Sequence, residues 1–146
     1  MTTISRSVKI NAPVGRVFNV VTTPDNWTKY VTSLVAVNHL SKDAPAMGSR
    51  FRWEYKMMGV RFNGNGEVTE NVRNKRFGLS MKGKATISEG YDFIRNEDGT
   101  TTLKILIEHD MHSDLLNKVM DNALIRKLNN IESGNVLKKI KAMCEA

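Results

Sequence analysis

Three polar residues, Arg6, Glu89 and His109, fall at apolar positions of alternating stretches. Arg6 interrupts the series Ile4, Val8, Ile10; Glu89 stands among Ile87, Tyr91 and Phe93; His109 follows Leu103, Ile105 and Ile107. A carboxylate and a guanidinium withdrawn from water must pair to offset desolvation, and a histidine beside both titrates in response to them. Such a set could transfer a proton from His109 or Glu89, with Arg6 or Tyr91 polarising a carbonyl. The same residues also read as a structural ion pair near a barrel mouth. A hairpin turn at residues 97–99 would set Glu89 opposite Ile107 and make His109 its diagonal neighbour. A slip of one residue would turn Glu89 outward.

The elements that must position these groups follow from periodicity. Residues 3–10 alternate as a half-buried strand. Pro13 suits a first helical turn, and Val14, Val17, Phe18 and Val21 follow at helical spacing. Thr23, Pro24 and Asp25 start a second short helix, with Thr23 as cap and Trp27, Tyr30 and Val31 on one face. From Leu34 to Met111 the period is two, which predicts an antiparallel meander: strands at 34–40, 50–57, 60–69, 77–81, 87–93 and 103–109, with a loop at 42–48. Residues 114–144 then predict one long amphipathic helix of about 45 Å. Its apolar stripe is Leu116, Met120, Leu124, Leu128, Ile131, Leu137 and Ile140, opposite Lys118, Arg126, Lys127, Lys138 and Lys139. The order is strand, two short helices, six strands and a long helix, an α+β arrangement.

The run S-V-K-I-N-A-P-V-G-R-V-F at 7–18, followed by T-P-D-N-W at 23–27, resembles the opening of the START-like, helix-grip (SRPBCC) superfamily, in its polyketide cyclase/dehydrase-like branch. Thr23 stands where that pattern often has aspartate, and Tyr30 where it often has a second tryptophan. The resemblance implies a seven-stranded antiparallel sheet gripping the C-terminal helix around a cavity for a lipid, quinone or polyketide-like molecule. In that topology the first strand lies beside the last and brings Arg6 alongside Glu89. The expected lining is Phe51, Trp53, Tyr55, Phe62, Leu79, Met81, Tyr91, Phe93, Ile105 and Ile107, facing Met120, Leu124 and Leu128. Gly64 and Gly66 at inward strand positions, and Gly134 on the helix, leave room that large neighbours would have to fill; a β-bulge and a helix kink are the alternative reading. The resemblance supplies no catalytic set, so binding protein and cyclase or dehydrase both stay open.

Composition is that of a globular chain, 40% hydrophobic and 25% charged, and 146 residues fit one ligand-binding domain, 1–146. The net charge of +7 invites phosphate or an acidic protein surface. The basic residues are scattered and lack zinc-ligand or RNA-binding signatures, which argues against nucleic acid and leaves a protein-interaction module as a third class. His39, His109 and His112 lack metal-ligand company, and no lysine and helix follow Gly64 and Gly66 as a phosphate loop requires. No metal or cofactor is therefore expected. The single cysteine, Cys144, excludes an intramolecular disulfide and points to the cytoplasm. Neither a signal peptide nor a membrane span of ~20 apolar residues is legible. Oligomeric state is left open.

Overall fold

The computed structural model describes residues 2–57, 59–83, 85–111 and 122–146, with the side chains of 2, 57, 85, 109–111 and 122–129 outside that description. The elements are β1 (Thr2–Ile10), α1 (Val14–Thr22), α2 (Pro24–Tyr30), β2 (Leu34–Asn38), β3 (Arg50–Met57), β4 (Val60–Val72), β5 (Arg76–Gly83), β6 (Ala85–Arg95), β7 (Thr101–Met111) and α3 (Asn122–Glu145). The predicted order is therefore the observed one. The expected start of the last helix, at 114–121, lies outside the described residues, as do Met120 and His112.

All seven strands form one antiparallel sheet in the order β1-β7-β6-β5-β4-β3-β2. Alternation decides which side is buried: Phe51, Trp53 and Tyr55 of β3 are buried, whereas Arg50, Arg52 and Lys56 are exposed. The β6–β7 register pairs Glu89 with Ile107 and Ile87 with His109, as the hairpin turn predicts. The meander wraps its apolar face toward the helices, and α3 packs against β1, β7, α1 and α2.

Helices α1 and α2 are joined through the carbonyls that end α1. A helix leaves its last four carbonyls without intrahelical donors. Here Thr22 Oγ1 donates to Phe18 O, Thr23 Oγ1 to Asn19 O, Asn26 Nδ2 to Val20 O, and both Trp27 Nε1 and Tyr30 Oη to Val21 O. Thr23 holds the N-cap position of α2 as expected, but its hydroxyl turns back to α1 and makes no cap bond to α2. The T-P-D-N-W segment is thus a set of donors that terminates one helix with the side chains of the next.

The buried stripe of α3 is Ser133, Val136, Leu137, Ile140 and Cys144. Ile131, expected on that stripe, is 53% exposed. Six residues before Leu137 is about one and two-thirds turns, which rotates Ile131 to the far side. Leu124 and Leu128 lie on the described backbone of α3, but their side chains fall outside the description. Among the described residues no helix is long and apolar enough to cross a membrane.

Candidate functional site

Glu89, on β6, is the one buried charged side chain among the described residues, in a largely aromatic and aliphatic interior. Two residues on, Tyr91 shares its face of the strand and donates its hydroxyl to Glu89 Oε2 at 3.2 Å. Tyr30, delivered by the last turn of α2, meets Tyr91 edge to face with ring centroids 6.5 Å apart. Its hydroxyl donates to Val21 O at 2.7 Å, so the bond that closes α1 also fixes this ring beside Glu89. Tyr55 arrives from β3, held by an edge-to-face contact with Trp53. From the opposite wall α3 supplies Glu132, half-buried, whose Oε1 accepts from the Ser33 backbone N–H at 3.3 Å.

Burial drives the electrostatics. Desolvation, and then the charge of Glu132, push the Glu89 carboxyl up to about 7, while the hydrogen bond from Tyr91 works the other way. Glu132 is raised for the same first reason, against the stabilising bonds from Ser33. The hydroxyls of Tyr30, Tyr55 and Tyr91 stand well above the ordinary phenol value, through burial first and the nearby carboxylates second. The described ion pairs all lie at the surface, and none includes Glu89 or Glu132. A buried carboxyl titrating near neutrality can accept or deliver a proton or, when protonated, donate a hydrogen bond to a carbonyl.

The three polar residues that alternation places on one face are not gathered into one cluster. Arg6 is exposed and stands opposite Ile105, whereas Ile4 occupies the row of Ile107 and Glu89. A long side chain at a sheet edge keeps its charged head in water, so the expected Glu89–Arg6 pairing is absent among the described ion pairs. The Arg6 guanidinium instead lies over Gly134, where a Cβ would come within 2.7 Å of Nη1. His109 keeps its predicted place in the ladder, and its side chain is outside the description.

The ten strand residues expected to line the interior, Phe51, Trp53, Tyr55, Phe62, Leu79, Met81, Tyr91, Phe93, Ile105 and Ile107, are all buried. The three glycines are not gaps. A Cβ at Gly66 would collide with the ring of Phe51, and one at Gly64 with the Lys82 carbonyl oxygen and, at 2.9 Å, with the ring of Trp53. The neighbours have filled the space. Periodicity places Tyr30 on the buried face of α2 without linking it to Glu89, and it misses Ser33 and Glu132. The one available signal for Glu132 is its spacing of four from the buried Val136, which puts both on one side of α3.

The sheet order, the paired short helices and the gripped C-terminal helix define a START-like, helix-grip protein. Solved structures agree. A protein of Thermus thermophilus superposes with a TM-score of 0.80 at 16% identity, over 98% of this chain and 97% of that one. A START superfamily protein of Mycobacterium smegmatis does so with a TM-score of 0.75 at 11% identity, over 98% and 97%. A protein of Chromobacterium violaceum gives 0.73 at 18%, over 100% and 99%. A family profile described as polyketide cyclase / dehydrase and lipid transport matches residues 1–145, and the chain belongs to that family. A search of curated protein sequences finds no match.

Proposed function

We propose that this chain, acting as a single domain, encloses a small apolar or aromatic molecule of lipid, quinone or polyketide type between the sheet and α3. The observation that carries this reading is Glu89, a carboxyl set with three tyrosines inside an aromatic interior and joined by no described cation. A pocket that is apolar with a few placed polar groups is the usual form of a small-molecule site. In this reading the aromatic walls hold the body of the ligand, and Glu89 with Tyr91 orients its one polar group. The buried, unpaired Cys144 supports a cytoplasmic setting. Native mass spectrometry and a thermal-shift screen of lipids, quinones and polyketides test the proposal. A Tm rise for one class, reduced by Glu89→Gln, supports it. No bound species and no shift across the three classes would sink it.

The upward shift of Glu89 to about 7 favours one further reading, a cyclase or dehydrase in which Glu89 moves the proton and Tyr91 polarises a carbonyl. Turnover of a polyketide-like substrate would then follow the ionisation of Glu89 and be lost in Glu89→Gln. An unchanged rate in that variant eliminates this role.

A further inference from the structure

The sheet has two outer strands, β1 and β2. β2 is five residues long and its register shifts between Leu34 and Ala36, the shortening and bulging that blunt an edge against strangers. β1 has nine residues, no proline and an unbroken register with β7 from Thr2 to Ile10. Neither device protects it.

The ladder determines which backbone groups of β1 face outward. In an antiparallel strand the N–H and C=O of one residue point to the same neighbour, and those of the next residue to the other side. The Phe93 N–H donates to Lys75 O, on the β5 side of β6. Carried through the unbroken β6–β7 and β1–β7 registers, this turns Ile4, Arg6, Val8 and Ile10 toward β7, and Thr3, Ser5, Ser7 and Lys9 outward. Two bonds from α3 agree: Lys141 Nζ donates to Lys9 O at 2.8 Å, and Glu145 Oε1 accepts from the Asn11 N–H at 3.2 Å. They close the far end of the edge. Among the described residues nothing bonds the backbone of Ser5 or Ser7 from the outer side, and both residues are exposed.

Beside this open stretch lies a groove of about 260 Å³, lined by Arg6, Ser7, Val8, Gly134, Leu137 and Lys138. Its floor is apolar, with Val8 half-buried and Leu137 buried, and Gly134 leaves the flank of α3 low. The exposed Ile131, two turns before Lys138 and on the same side of α3, extends that floor. The rim is cationic. Arg6 and Lys138 are exposed, and neither has a carboxylate partner among the described ion pairs.

We propose that the outer edge of β1 takes an extended acidic segment of a partner protein as an added strand, with carboxylates against Arg6 and Lys138 and an apolar side chain on the floor of Val8 and Leu137. In strand addition the main chain supplies affinity and the pockets for alternate side chains supply specificity. Ser5 and Ser7 each offer one N–H and one C=O. A second copy of this chain would bring the same cations to the seam, and with a net charge of +7 it is the wrong occupant. The inference does not depend on the interior ligand.

Fluorescence polarisation of the full chain with a dye-tagged, end-blocked heptapeptide of alternating valine and glutamate tests it. The peptide should bind, and more weakly as salt is raised. It should slow hydrogen exchange at the Ser5 and Ser7 amides and leave those of Arg6 and Val8, which the ladder already holds, as they are. The same peptide with lysine for glutamate should not bind, nor should one N-methylated throughout. At roughly threefold for each exposed charge pair, Arg6→Gln/Lys138→Gln should bind about tenfold more weakly. Ser7→Pro removes an outward N–H and no ladder bond, so it should melt as wild type does and lose the peptide. If that variant unfolds, the double variant decides. Absence of binding by the acidic peptide, or equal binding of the lysine or N-methylated peptide, would overturn the proposal. So would protection of Ser5 and Ser7 that grows with the concentration of the chain alone, which would give the edge to a second copy.

Discussion

Replacing Glu89 by Gln should make the protein more stable at pH 8, relative to wild type, than it is at pH 4.5. In the unfolded chain this carboxyl titrates at an ordinary glutamate value, near 4.5; in the fold, burial and Glu132 raise it to about 7. Below 4.5 the group is protonated in both states and has no effect. Between 4.5 and 7 the unfolded chain releases the proton that the fold retains, so stability falls as pH rises and is level again above 7. About 2.5 units at 1.36 kcal/mol each amounts to roughly 3 kcal/mol. The carboxamide keeps an oxygen able to accept from Tyr91 Oη, so the substitution removes the ionisation and leaves that bond in place. The exposed Asp98 and Glu145 act on both proteins and cancel in the comparison, whereas the coupling of Glu89 to Glu132 is part of the difference that is read. The assay is urea unfolding followed by circular dichroism from pH 4.5 to 8. A difference between variant and wild type that stays flat across that range would refute the placement of Glu89 in a water-poor interior.

Other substitutions test separate parts of the structure. Gly64→Ala, whose Cβ meets a backbone carbonyl, should destabilise by about 2 kcal/mol or more, while Gly15→Ala in α1, with open space around it, should stabilise by about 0.5–1 kcal/mol. Thermal melts that rank the two the other way contradict the packing of Trp53 over Gly64. Trp27→Phe removes a buried donor to Val21 O and should cost about 1–3 kcal/mol in denaturant unfolding, and more than Tyr30→Phe, which leaves the ring in place. Arg6→Gln should leave the pH dependence of stability between 4.5 and 7 as in wild type, because the exposed guanidinium is not the partner of Glu89; a steeper fall would restore Arg6 to the cluster.

What alternation could disclose, it did. Period-two patterning assigns Phe51, Trp53, Tyr55 and Glu89 to the buried face, and the turn at 97–99 sets the register of Glu89 against Ile107. The same rule overreaches at Arg6, because a strand period reports the face of a residue and not how far a flexible side chain extends back to solvent. Tyr30, Ser33 and Glu132 come from three separate elements, and nothing local in the sequence says that the end of α2, the turn before β2 and the flank of α3 converge on β6. Ile131 shows the matching weakness for helices, since a stripe followed through steps of three and four drifts around the cylinder. Gly64 and Gly66 suggest vacant volume when read as absent side chains, yet the rings that occupy it belong to the neighbouring strand.

The pairing of β1 with β7 also governs how the chain assembles. Thr2 pairs with His109 and Ile10 with Thr101, so β1 closes a loop of roughly 90–110 residues. The last turn of α3 then secures the junction after β1: Lys141 Nζ donates to Lys9 O, and Glu145 Oε1 accepts from the Asn11 N–H. A nascent chain on the ribosome therefore holds β1 unpaired until β7 has emerged. Contacts this distant in sequence make for slow folding, and the final turn of α3 adds a second tie that holds the end of β1 in place.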